Sequence, residues 1–433
     1  MASSDALHAF RRFGLGRRGT EPVPSDVPQW LRLQLSEPDP LLAEPGPTIG
    51  NAVRVDRDHW AARKLTAMPT EGLADLFLED TTMLLRHAVT TDFPVRERLV
   101  WFWSNHFTVS ERAGNRPLGL IGPYVRDAIR PHVTGKFVDM LKAVMRHPAM
   151  LYYLDNASSV GPNSPVGIKE HRGINENLGR ECLELHTLGV GSGYTQRDVT
   201  AFSEILTGRT VSWDPDTAGF VFRADMHEPG PKMFMGHEYA EGLESSETAL
   251  EWIARHPATR RHIATQMVRH YVNDVPPPTC VARVEKVLND TDGDLQQAMF
   301  AIIDMDEAWV PLTKFRAPVE HIIAVQRALD LPEQPNNALF RASAVLGQKF
   351  MGPILPNGWP ETADDWLSGG ALLERADWAM TQASRPGAPA AERVAETTLG
   401  DHCSPSTRAA MKACPTPTEA LATLFASPEF MRR

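Results

Sequence analysis

Apolar side chains return at intervals of three, four and seven residues along most of this chain. A backbone patterned in that way buries its apolar surface by packing helix against helix. The segment 71–90 shows the rule, with Leu73, Leu76, Phe77, Leu84 and Leu85 on one stripe. The segment 25–37 repeats it with Val27, Trp30, Leu31 and Leu35, and a Pro-rich connection follows over 38–47. Pro94 suits the first turn of a helix, where its missing N–H costs nothing, and that helix carries Leu99, Phe102, Trp103 and His106. Further helices are predicted over 123–129, 137–146, 176–188, 196–206, 246–255, 257–272, 280–288, 295–305, 318–329 and 370–382. Strand-like patterning is confined to one place, where Thr210–Trp213 and Phe220–Arg223 flank a Pro/Asp/Gly cluster and predict a hairpin near 209–224.

A length of 433 residues suggests about three domains. The expected fold is mainly α with a small β-hairpin; on the residue pattern a single multi-helix globular body over 1–433 and a subdivision near Pro276–Pro278 are equally open. Charge excludes some functions. With 44 Lys and Arg against 54 Asp and Glu, the net charge of −10 makes no whole-chain case for binding nucleic acid. No run approaches the roughly 18 apolar residues of a membrane-spanning helix. No apolar run follows the early basic residues either, so a cytoplasmic location is the default expectation. Cys182, Cys280, Cys403 and Cys414 form no CxxC pair, which argues for free thiols.

Two motif matches fail on context. Gly14-Leu-Gly16-Arg-Arg-Gly19 has the dinucleotide-binding spacing, but a helical pattern precedes it and Pro22 and Pro24 follow. Asp290-Thr-Asp-Gly293-Asp294 lacks the first carboxylate of a calcium loop, and Asp294 reads better as a helix cap.

Three constellations carry chemistry. In Trp101-Phe-Trp-Ser-Asn-His106, His106 falls on an apolar face and must find a hydrogen bond or a metal. In the segment 175–186, Asn177, Glu181 and Glu184 stand at i, i+4 and i+7 on one face, while Arg180 can pair with Glu176 or Glu184. His186 projects from nearly the opposite side. The third is His227-Glu228 on a Pro/Gly-stiffened loop after the hairpin. Thr195 with Asp198 reads simply as a capping box.

Trp101–Ser110, Asn175–Gly189, Gly193–Gly208, Val268-Arg-His-Tyr-Val272 and the late Gly358-Trp359 with Trp366-Leu-Ser368 together resemble a large bacterial family known as domain of unknown function 1800. His256-Pro257, Pro276–Pro277 and the opening Phe10–Gly16 fit the same pattern in the same order. The resemblance implies one long helical unit. It also implies a sulfatase-like protein partner and a periplasmic or envelope role. Asn105, His106, Asn175, Glu176, Asn177, Arg180, Glu181, Glu184, His186 and His227 carry over as site positions; Glu228 stands where the family more often has Asp.

The expected function is a metal-dependent enzyme, a hydrolase or an oxidoreductase. His106, Glu181, Glu184 and His227 would surround a divalent iron, manganese or zinc, with Glu176, Arg180 and His186 as the catalytic groups. A heme held by His106 is a variant of this reading. The alternative is a non-catalytic binding or accessory protein. In it the Glu/Arg/His cluster is a structural ion-pair network, and Trp101, Trp103, Trp213, Trp359 and Trp366 line a carbohydrate or peptide groove.

Overall fold

The computed structural model describes residues 4–19, 21–65, 72–111, 114–332, 334 and 337–433. The periodic segments become helices: Val27–Ser36, Leu73–Thr90, Pro94–His106, Phe137–Arg146, Gln196–Leu206, Leu243–Arg255, Pro257–Tyr271, Pro278–Asp290, Leu295–Ile303, Pro318–Leu329 and Gly369–Ala383. Glu71, where one predicted helix begins, lies outside the described residues. Thr195 and Asp198 form the expected capping box, and Asp294 accepts from the Gln297 N–H at 3.0 Å as a cap.

The Pro94–His106 helix lies at the centre, with Val95, Leu99, Val100, Phe102 and Trp103 all buried. It packs against the Val27–Ser36 helix and sits within the largest of three apolar clusters among the described residues. Every residue of the Pro318–Leu329 helix is buried, because this helix walls the larger core on one side and a smaller one on the other. Ala324, Val325, Ala328 and Leu329 face the smaller core with Val394, Leu399, Leu421 and Phe425.

The predicted hairpin is present as Arg209–Ser212 paired antiparallel with Gly219–Phe222. Strand structure is not confined to it, contrary to expectation. Lys232–Phe234 pairs with His237–Tyr239 around Met235 and Gly236, both at positive φ, which is the geometry of a two-residue hairpin turn. Three-residue strands are too short to show an alternating pattern. The predicted 176–188 helix is also not uniform: an α-turn over Asn177–Glu181 widens into a π-turn over Cys182–His186. Several helices carry no recognised signal, among them Ile49–Leu65, whose apolar residues form no clean stripe, and the short Ala391–Thr398, Pro405–Ala413 and Pro417–Phe425. The four cysteines are free. Among the described residues, no helix is long and apolar enough to cross a membrane.

Buried cations tie helix ends together. Arg327 donates to the carbonyls of Ala88 (3.2 Å), Val89 (2.9 Å) and Thr91 (3.0 Å) at the end of one helix, to Gly16 O (2.7 Å), and to Glu21 (2.8 Å). Arg12 does the same for Tyr271 O and Val272 O, and Arg11 for Thr398 O and Leu399 O. Arg130 joins Glu97 and Asp39 inside the core. We expect Arg327→Lys to destabilise the protein by about 3–5 kcal/mol, because an ammonium cannot span these acceptors and strands a buried carboxylate. Urea unfolding measures it; a loss below about 1 kcal/mol would refute the role of the guanidinium fork.

Candidate functional site

The acidic helix forms a half-buried network beside its neighbour. Glu176 accepts from Arg180 (2.8 Å), Gln196 (2.9 Å) and Thr200 (2.6 Å), and these contacts, the Thr200 hydroxyl foremost, hold its pKa down. Arg180 also approaches Glu184 at 3.6 Å. Glu181 is half-buried; burial and then the adjacent Glu184 push its pKa up. Asn175 accepts from the Asn177 N–H at 3.0 Å, which shapes the turn into the helix.

The histidines go elsewhere. A carbonyl can only accept, so His106 Nε2 donates to His186 O at 3.1 Å, and His262 Nε2 donates to Leu185 O at 3.0 Å. Two imidazoles thus satisfy the last carbonyls of the π-turn. The His186 ring is fully buried against Phe107 and His106, with neither nitrogen bonded to protein, and burial lowers its pKa to about 3. His227 donates from Nδ1 to Thr207 O (2.7 Å) and accepts at Nε2 from the Gly242 N–H (2.9 Å), so it pins the loop after the first hairpin. Among the described residues, no group of three or more His, Cys, Asp or Glu is placed to hold a metal ion. His106, Glu181, Glu184 and His227 do not converge.

Three of the five tryptophans do. Trp101, Trp359 and Trp366 join Phe102, Phe315 and Phe350 around a half-enclosed cleft of about 800 Å³, its mouth to solvent included. Trp103 instead fills the core, and Trp213 donates to Asp56 at 2.8 Å beneath Arg116. Asn105 builds the cleft's rim. Its amide donates to Trp359 O (2.9 Å) and its side-chain oxygen accepts from the Trp359 N–H (2.8 Å). The preceding Gly358 has φ +76°, and a Cβ there would lie 2.5 Å from Asn105 O, so only glycine lets the two segments meet.

The floor is charged and ordered. His270, from the Pro257–Tyr271 helix, hydrogen-bonds through Nδ1 to Glu361 Oε1 at 2.9 Å. A carboxylate accepts, so Nδ1 carries the proton and Nε2 keeps a lone pair, without a protein partner. Burial lowers the His270 pKa against the pull of Glu361. Burial works against the Glu361 charge, but His270 and Lys314 outweigh it and its pKa falls. Lys314 donates to Glu361 O at 3.0 Å and pairs with Asp274, which accepts from the Ala363 N–H at 2.8 Å. Glu320 takes Arg98 and Arg433, and burial is again outweighed by these arginines, so its pKa too is depressed. Ser104 Oγ, Trp101 Nε1, Trp359 Nε1 and Arg433 Nη1 are buried in the lining without protein partners.

Sequence reasoning singled out Asn105, and weighed Trp101, Trp359 and Trp366 as a groove. It gave no role to His270, Glu361 or Arg433. Ninety-one residues separate the His–Glu pair, and no spacing rule spans such a gap. Asn105→Ala is expected to cost about 1–3 kcal/mol by leaving the Trp359 amide and carbonyl unpaired. Hydrogen exchange at the Trp359 amide should accelerate with it; an unchanged rate would show that the rim is held by other contacts. A family model described as "Protein of unknown function (DUF1800)" matches residues 8–432. No curated protein and no solved structure matches the chain.

Proposed function

The chain belongs to the DUF1800 family, whose description assigns no activity, and on that footing we propose that the aromatic cleft is a hydrolytic site for an ester carried on an uncharged, ring-shaped body such as a sugar. The observation that carries this reading is His270 Nε2, a lone pair without a protein partner in the lining, on an imidazole fixed from behind by Glu361. That is the arrangement of a general base. Burial keeps the ring neutral at neutral pH, as a base requires.

The choice of ester follows from the carboxylates. Cleavage of a glycosidic bond needs a protonated acid at the leaving oxygen. Glu320 and Glu361 are both held ionised, so neither serves. An imidazole can do both halves of ester hydrolysis. Nε2 takes a proton from water as the water oxygen adds to the acyl carbon, and Glu361 stabilises the imidazolium. The imidazolium then returns the proton to the leaving alkoxide as the C–O bond breaks. Indole N–H groups of Trp101 and Trp359 and the Arg433 guanidinium are the donors available to the oxyanion. The indole faces suit the C–H face of a ring, and the fixed charges of the floor are paired, which favours a neutral ligand.

Hydrolysis of O-acetylated sugars and aryl acetates by the purified chain tests the proposal. We expect His270→Gln to lower kcat by about 10²–10⁴-fold while tryptophan fluorescence still reports binding, and Trp359→Ala to weaken that binding. Because the His270 pKa lies below its ordinary value, kcat/KM should stay flat down to about pH 6.5 and fall only below it. Activity that survives His270→Gln but is abolished in Glu181→Ala would move the site to the acidic helix and overturn the proposal.

A further inference from the structure

A second cavity, lined by the Leu73–Thr90 helix with residues of 41–51 and 122–130, shares no lining residue with the aromatic cleft. Its volume is about 930 Å³, its mouth to solvent included. Its walls are mostly apolar, with Leu41, Leu76, Met83, Leu84 and Val125 among them. Into this lining comes the carboxyl group of Asp80, a residue only 9% exposed and with neither a hydrogen bond nor an ion pair to any described residue. A buried carboxyl group without a partner is costly, and native proteins seldom keep one without a use.

The neighbouring cations are spoken for. Arg130 is held by Glu97 and Asp39, and Arg126 donates to the carbonyls of Leu41, Leu42 and Glu44. The remaining titratable group in the lining is Glu79, which carries the same sign as Asp80. Gly122 adds a steric sign of the same arrangement: a Cβ there would stand 2.0 Å from Asp80 Oδ2, so glycine leaves the carboxyl its place. An apolar chamber with one buried, unanswered acid in its wall, and the exposed Glu79 beside it, fits a ligand with an apolar body and one cationic donor.

We infer that this cavity is a second ligand site, which takes a small primary ammonium ion carried on an apolar body, with Asp80 as its counter-ion. Asp80 makes up to two hydrogen bonds to the ammonium group, and Leu76, Met83 and Leu84 enclose the body. Burial, and secondarily Glu79, raise the Asp80 pKa to about 7, so in the free protein the acid is half protonated near neutrality. The ammonium ion favours the ionised form, and binding therefore strengthens with pH by about tenfold from pH 6 to pH 8.

Benzylammonium is the probe, with benzyl alcohol as its uncharged counterpart. Methyl-¹³C methionine spectra of the full chain report occupancy at Met83, and titrations are run at pH 6 and pH 8. We expect saturable shifts of the Met83 methyl with benzylammonium, at least tenfold weaker binding of benzyl alcohol, and a loss of at least tenfold in Asp80→Asn. Leu76→Trp, which keeps the acid and fills the chamber, should abolish binding and so separates occupancy from any folding defect of the Asp80 variant. Absence of saturable shifts with benzylammonium overturns the site. Equal binding of both probes, or binding unchanged in Asp80→Asn, overturns the role of the carboxylate. None of these readouts depends on the aromatic cleft.

Discussion

A helix that ends inside a protein leaves its last carbonyls without partners, and water cannot reach them. This chain is built from many short helices, so it meets that problem repeatedly. Its recurrent answer is a buried cation or imidazole from a distant segment. Arg327 collects the end of the Leu73–Thr90 helix, Arg12 that of Pro257–Tyr271, Arg11 that of Ala391–Thr398, and Arg96 the carbonyl of Leu35. Arg209 reaches Met145 O, and His106 and His262 do the same for the π-turn that ends at His186. Each such contact fixes the position of one helix end against another element. Together they hold helices that would be marginal alone.

The aromatic cleft sits beside one of these ties, the end of Pro257–Tyr271 that Arg12 holds. Its floor is made from the ends of the Pro94–His106 and Pro257–Tyr271 helices and from the segment after Gly358, which Lys314 and Asp274 hold down through the Glu361 carbonyl and the Ala363 N–H. Lys314, paired with Asp274, thus also fixes the Glu361 backbone, and the Glu361 carboxylate orients His270. This is why the His–Glu pair can remain ordered in a place where indole N–H groups and a serine hydroxyl have no protein partner.

The periodic parts of the fold were legible from residue spacing. Phe137–Arg146, Gln196–Leu206 and Pro318–Leu329 begin and end where their apolar stripes and prolines place them. Ile49–Leu65 escaped because its apolar residues are spread around the helix, and the second hairpin because three residues cannot display alternation. The polar constellations are ambiguous for a different reason. His106 and Glu181 both stand on apolar-flanked helical faces, which suits a ligand and a helix-end partner equally well. His106 met a carbonyl, Glu176 met Arg180, Gln196 and Thr200, and Glu181 stands half-buried beside Glu184.

Residue order alone therefore determined that this chain makes packed helices, where most of them lie, and that the Trp101–His106 segment turns an apolar face inward. These properties rest on local spacing and on the transfer of apolar groups out of water, and both can be read along the chain. The tertiary structure decided which polar groups became partners. It set His270 on Glu361, Asn105 on the Trp359 backbone and Arg327 on the end of a distant helix, and it left Asp80 with none among the described residues. Hydrogen bonds and ion pairs act over a few ångströms, so their choice depends on which distant segments are folded into reach, and no periodicity in the sequence encodes that.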